Sequence, residues 1–119
     1  MDLYKEEILD HYKNPHNFGD LDEKTHQARD LNASCGDMVE VYLKIEKEII
    51  IDAGFRGVGC ALSTASASLL TDEVKGKRVD EVMVWDEKIL RKLVGEVNPG
   101  RMKCITLPLE VLQKAIGQK

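Results

Sequence analysis

Aromatic residues are scarce in this chain: one Trp, three Tyr and two Phe, 5% of its 119 residues. Few planar platforms are therefore present on which bases could stack. Positive charge is not in excess either. The formal net charge is -4 and the pI near 5.4, whereas neutralising a phosphate backbone needs a basic surface, so a nucleic-acid partner is not expected. No apolar run approaches the length a bilayer demands, which argues against a membrane partner. The first residues, Met1 to Glu7, carry acids early and no apolar stretch, so they do not read as a signal peptide, and a cytoplasmic location is the expectation. Repeats, low-complexity tracts and linkers are also missing. One domain spanning 1-119 with one hydrophobic core is the natural reading of this length and of a composition that is 43% hydrophobic and 32% charged.

Cysteine is sparse too. Three residues, Cys35, Cys60 and Cys104, cannot form a closed set of disulfides, and in a reducing compartment they read as metal ligands or reactive thiols. Each lies in or beside a loop-like segment: Asn32-Ala33-Ser34-Cys35-Gly36-Asp37, Gly57-Val58-Gly59-Cys60-Ala61 and Arg101-Met102-Lys103-Cys104. Cys60 is expected between a strand and a helix, and Cys104 at or just before the last helix. Helix N-termini carry partial positive charge that favours thiolate, the form that binds metal or attacks sulfur. Gly36, Gly57 and Gly59 remove side chains where the backbone must approach a ligand or take a positive φ. Asp37, two places after the first cysteine, reads either as a fourth ligand or as a turn residue bonding its own backbone. Three thiolates and a carboxylate suit iron in a sulfide cluster or tetrahedral zinc, and the carboxylate is the harder, weaker ligand for iron in a sulfide cluster. Lys103 reads as a nearby positive charge or an exposed ion-pair residue. His11, His16 and His26 have no metal-ligand spacing and are not assigned to the metal.

Around these loops the periodicity changes twice. Asp2 to Lys13 reads as a helix with Asp2 as N-cap and Tyr4, Ile8 and Tyr12 on one face; Pro15 ends it at Asn14. Thr25 to Leu31 shows little pattern. Val39, Val41, Leu43 and Ile45 then alternate with Glu40, Tyr42, Lys44 and Glu46, which predicts a strand with one buried face. Ile49, Ile51, Ala53 and Phe55 predict a second such face, reached through a hairpin at Glu46-Lys47-Glu48 that lacks the usual Gly or Asn. After Cys60 the pattern is helical, with Leu62, Ala65, Leu69 and Leu70 on one side, small residues from Ser63 to Ser68, and Gly76 as the stop. A short helix follows Asp86 and ends before Gly95. The last helix carries Leu107, Val111, Leu112, Ala115 and Ile116, with Pro108 acceptable only in its first turn. The order predicts an α+β domain: a small antiparallel β-sheet of about three strands with helices packed on one face.

The three cysteine loops, together with Ile8-Leu9-Asp10-His11-Tyr12-Lys13-Asn14-Pro15, resemble the IscU/SufU/NifU-type iron-sulfur cluster assembly scaffold proteins over nearly the whole chain. The resemblance implies an IscU/SufU-like fold and a partner cysteine desulfurase that delivers persulfide sulfur to Cys35 or Cys104. Iron from a donor then joins it. A transient [2Fe-2S] cluster forms on Cys35, Cys60, Cys104 and Asp37 and passes to apo iron-sulfur acceptor proteins. A monomer or weak homo-oligomer is the expected state. The chain departs from the IscU branch at Lys103, where many members carry His, and at Val97 to Lys103, where the Leu-Pro-Pro-Val-Lys recognised by a dedicated Hsp70 chaperone is absent. Arg101-x-Lys103-Cys104 looks more like SufU-type members, which bind Zn2+ through Cys, Asp, Cys and Cys; a zinc-dependent sulfurtransferase is thus the alternative. Only 43 residues separate Cys60 from Cys104, without the segment those members insert, and Ala33 replaces a common Pro.

Overall fold

The computed structural model describes residues 6–32 and 36–117. Strand β2 (Asp37–Glu46) lies between β1 (His26–Asn32) and β3 (Ile49–Val58) in a three-stranded, fully antiparallel sheet. Helix α1 (Glu6–Lys13) precedes the sheet; α2 (Ala61–Val74), α3 (Val79–Met83), α4 (Glu87–Val94) and α5 (Met102–Ile116) follow it, the last led in by a 3-10 turn at Pro99–Arg101. This is the expected α+β architecture. α5 lies against β1 and β2, and α2 against β3, so the helices cover one face of the sheet. No helix among the described residues is long and apolar enough to cross a membrane.

The buried face follows from the period-two pattern. Val39, Val41 and Leu43 of β2 and Ala53 and Phe55 of β3 pack under Leu107, Val111, Leu112 and Ala115 of α5 and Ala67 and Val74 of α2. A second apolar layer joins the helices to one another: Ile8 of α1, Leu62, Ala65 and Leu70 of α2, Leu90 and Val94 of α4, and Ile105 and Leu109 of α5. α4 begins at Asp86, whose carboxylate accepts the Lys88 amide, and stops at Gly95 with φ 95°. The hairpin between β2 and β3 turns through Lys47 (φ 53°) and Glu48 (φ 67°), both left-handed as a two-residue type I′ turn requires.

Several expectations are corrected. β1 has little pattern because it is an edge strand with Ala28 as its one buried residue. Ile51 is 46% exposed and Ile50 is fully buried in its place. Lys44 pairs with Asp52 but Ile45 with Ile50, so Ile51 is the extra residue of a β-bulge that shifts the alternation by one. Tyr42 is buried although it lies opposite the helical face. Lys24 Nζ sits 5.6 Å above its ring, and its hydroxyl donates to Glu40 Oε1 at 2.7 Å. Burial, then the Glu40 carboxylate, pushes its pKa up to about 12. Tyr12 is 45% exposed while His11 is buried beside Ile8, so the inner face of α1 is rotated from the expected one; Asp2 and Tyr4 lie outside the described residues.

α2 is buried on most sides, not one, because it runs between the sheet and the other helices. Its small residues permit that. Ser66 Oγ donates to the Ile105 carbonyl and Thr71 Oγ1 to those of Ala67 and Ser68, so the hydroxyls are satisfied inside. Pro108 is the seventh residue of α5, well past the first turn. α3, at five residues, is too short to leave a readable period in the sequence.

The bulge yields a test. Ile51→Thr should alter unfolding free energy by less than about 0.5 kcal/mol, whereas Ile50→Ala should lower it by about 2–4 kcal/mol in urea titrations. Equal losses at both positions would refute the register.

Candidate metal centre

Three chain segments meet at one end of the sheet. Asn32 and Asp37 are cross-strand partners at the ends of β1 and β2, and the Gly36 amide donates to the Asn32 carbonyl at 2.8 Å. Gly36 has φ 75°, a conformation costly for other residues. Its neighbour Asp37 thereby starts β2 with its side chain buried, at 4% exposure. Cys35 lies outside the described residues.

Cys60 follows β3 as the N-cap residue of α2, with extended backbone (φ -73°, ψ 171°) and its carbonyl accepting the Thr64 amide. Cys104 is the third residue of α5, buried at 9% exposure. The approach to it is set by Asn98, whose side chain accepts the Gly100 amide at 2.8 Å and starts the 3-10 turn. The first turns of α2 and α5 thus present their sulfurs beside the Asp37 carboxylate. One oxygen of Asp37 and the Sγ atoms of Cys60 and Cys104 all lie within 4.8 Å of one another. They open onto a surface cleft of about 480 Å3 bordered by Gly36, Val58, Gly59, Gly100 and Arg101.

Two observations show that this donor set fits a metal. Asp37 Oδ2 is buried and has no hydrogen-bond partner among the described residues. A buried oxygen left so costs about 1–3 kcal/mol, a penalty that a cation removes. Gly59 supplies the space. A Cβ there would stand 3.0 Å from Asp37 Oδ1 and 3.2 Å from Ser63 Cβ, crowding the carboxylate from the side.

The remaining site residues are placed as follows. Lys103 is exposed and borders a separate depression with Asp30, Leu31 and Asn32. Arg101, which the sequence offers only as part of Arg101-x-Lys103-Cys104 and not as a site residue, lines the cleft beside Asp37, Cys60 and Cys104. Its signal was the three-residue spacing to Cys104, which puts both on one side of a helical turn. Val58, 70% exposed at the end of β3, gives the cleft an apolar side.

The family described as NifU-like N terminal domain matches residues 3–118. The chain is 40% identical over 111 residues to the iron-sulfur cluster assembly scaffold protein IscU of Thermotoga maritima, covering 92% of this chain and 78% of that one. It is 34% identical over 136 residues to the zinc-dependent sulfurtransferase SufU of Bacillus subtilis, covering 98% and 91%. A solved structure of a nitrogen-fixing NifU-like protein (N-terminal) from Brucella abortus matches with a TM-score of 0.80 at 25% identity, covering 98% of this chain and 93% of that one.

Proposed function

The chain belongs to the family of NifU-like N-terminal domains, and on that premise we propose that it is a scaffold on which iron-sulfur clusters are assembled. A cysteine desulfurase delivers persulfide sulfur to Cys35 or Cys104. Ferrous iron joins it, electrons from the iron and from a thiol reductant such as free cysteine bring the sulfane sulfur to sulfide, and the resulting [2Fe-2S] cargo is held by Cys35, Cys60, Cys104 and Asp37 until an apo-protein takes it. The observation that carries this reading is the convergence of one Asp37 oxygen with the Cys60 and Cys104 sulfurs to within 4.8 Å, in a carboxylate whose Oδ2 is buried without a hydrogen-bond partner among the described residues. A carboxylate is a hard ligand among soft ones, and one weak bond suits a protein that must give its cargo away. Arg101 at the cleft adds a fixed positive charge that favours an anionic cluster.

The test is anaerobic reconstitution with iron, cysteine and a desulfurase. Visible charge-transfer absorption that transfers to an apo-ferredoxin supports the proposal, and its absence overturns it. A second reading, zinc-dependent sulfur transfer on the same residues, is favoured by the 34% identity to the Bacillus subtilis protein and by Arg101 and Lys103 before the third cysteine. It predicts stoichiometric zinc, strong stimulation of desulfurase turnover and no cluster. The short interval between Cys60 and Cys104 favours the scaffold.

Asp37 should behave in opposite ways with and without cargo. In the apo-protein Asp37→Ala removes a buried oxygen that has no partner among the described residues, and the space left adjoins an open cleft. Unfolding free energy should therefore rise by about 1 kcal/mol, or about 4 °C in melting temperature by calorimetry. Cluster lifetime should change in the same variant. A fall in apo stability would show that Asp37 is a structural turn residue.

A further inference from the structure

His11 and His16 have no metal-ligand spacing in the sequence. The fold nevertheless brings them together. Asn14 and Pro15 end α1 and turn the chain back across α2, where the His16 amide donates to Ser68 Oγ at 2.8 Å and that same oxygen lies 2.6 Å from His11 Nδ1. The two rings then sit 4.4 Å apart, centre to centre. Asp72, one turn further along α2, has Oδ2 2.6 Å from His16 Nδ1. One nitrogen from each ring and one oxygen of Asp72 all lie within 4.8 Å of one another.

We propose that His11, His16 and Asp72 form a second metal site, taking a divalent first-row ion such as Zn2+ or Fe2+ with water completing the coordination. Two imidazoles and one carboxylate are a donor set that both ions accept. The site is supported from behind. Ser68 Oγ, which accepts the His16 amide, contacts Nδ1 of the buried His11 ring; in the tautomer whose Nδ1–H donates to that oxygen, Nε2 is the ligand atom. Asn17 Nδ2 donates to Asp72 Oδ1 and to Thr71 Oγ1, each at 2.9 Å, fixing the carboxylate. Such outer contacts orient ligands at metal sites. With metal–ligand bonds of about 2.0–2.2 Å, donors on one ion stand no more than about 4.3 Å apart. His16 and Asp72, whose side chains are 50% and 42% exposed, can close that remaining gap of under about 1 Å by rotamer motion. The cation nearby, Lys75, is engaged by Asn17 Oδ1 and faces Asp52 at 3.6 Å. None of these residues belongs to the Asp37, Cys60 and Cys104 centre, so the proposal stands independently of the function assigned there.

The experiment is calorimetric titration of Zn2+ into the metal-stripped, reduced full chain, with ring-nitrogen correlation spectra of the wild type recorded alongside. Two equivalents are expected, the one outside the cysteine centre moving the His11 and His16 ring signals. His16→Asn and Asp72→Asn, both at exposed positions, should each weaken that equivalent at least tenfold and leave the other in place. Cys60→Ser should do the reverse. A single equivalent with unmoved rings overturns the proposal, and so does a second equivalent that survives both substitutions. Should a variant fail to fold, the wild-type ring signals decide alone.

Discussion

Cys60→Ser should lower the charge-transfer absorbance of the reconstituted protein at least about tenfold while leaving the apo fold intact. Hydroxyl oxygen is a far poorer ligand than thiolate for iron in a sulfide cluster, so the loss at the centre is chemical. The fold should tolerate the change for a local reason. Cys60 is the N-cap of α2 and makes no side-chain capping bond, whereas Ser is among the preferred residues there. Thermal unfolding of the apo variant should therefore match or slightly exceed that of the wild type. Absorbance retained in Cys60→Ser would remove this sulfur from the ligand set, and with it the proposed scaffold.

Gly57→Ala should be the most damaging single methyl in the sheet. A Cβ at residue 57 would lie 2.4 Å from the Met38 carbonyl oxygen and 3.3 Å from Val39 Cα, both backbone atoms of the adjacent strand. Neither can swing aside as a side chain would, so β2 and β3 must separate where they deliver Asp37 and Cys60. A loss of about 3 kcal/mol, about 10 °C in melting temperature, is expected by calorimetry. Metal affinity should fall with it, because the centre depends on the same strand pair. A melting temperature within about 2 °C of wild type would contradict this close approach.

Much of this molecule can be read from its residues because the relevant signals are local. Val39, Val41 and Leu43 face inward as alternation demands, Asp86 and Gly95 bound their helix, and Cys60 and Cys104 stand at helix starts. The failures have a common cause in packing between distant segments. Ile51 follows the same alternation, yet a bulge set by the partner strand turns it outward. Tyr42 is concealed by Lys24, which lies outside its own strand, and α2 by neighbours on nearly every side. The histidine pair is closest to a lesson about sites. A spacing of five residues carries no geometric signal until a turn and a serine 52 residues beyond His16 bring the rings together. The family resemblance implies that Cys35 joins its two fellow cysteines; it lies outside the described residues, and the reconstitution above tests its part.

Pro108 has a consequence for the third sulfur. In a regular helix the amide at position 108 would donate to the carbonyl four residues earlier, and that carbonyl belongs to Cys104. Proline has no hydrogen to give. The opening turn of α5 is thereby tied to the body of the helix by one rung fewer than usual, and contacts to α2 hold it instead: Ile105 is fully buried and its carbonyl accepts the Ser66 hydroxyl. The position of Cys104 at the cleft therefore rests on the packing of α5 against α2, not on the helix ladder alone.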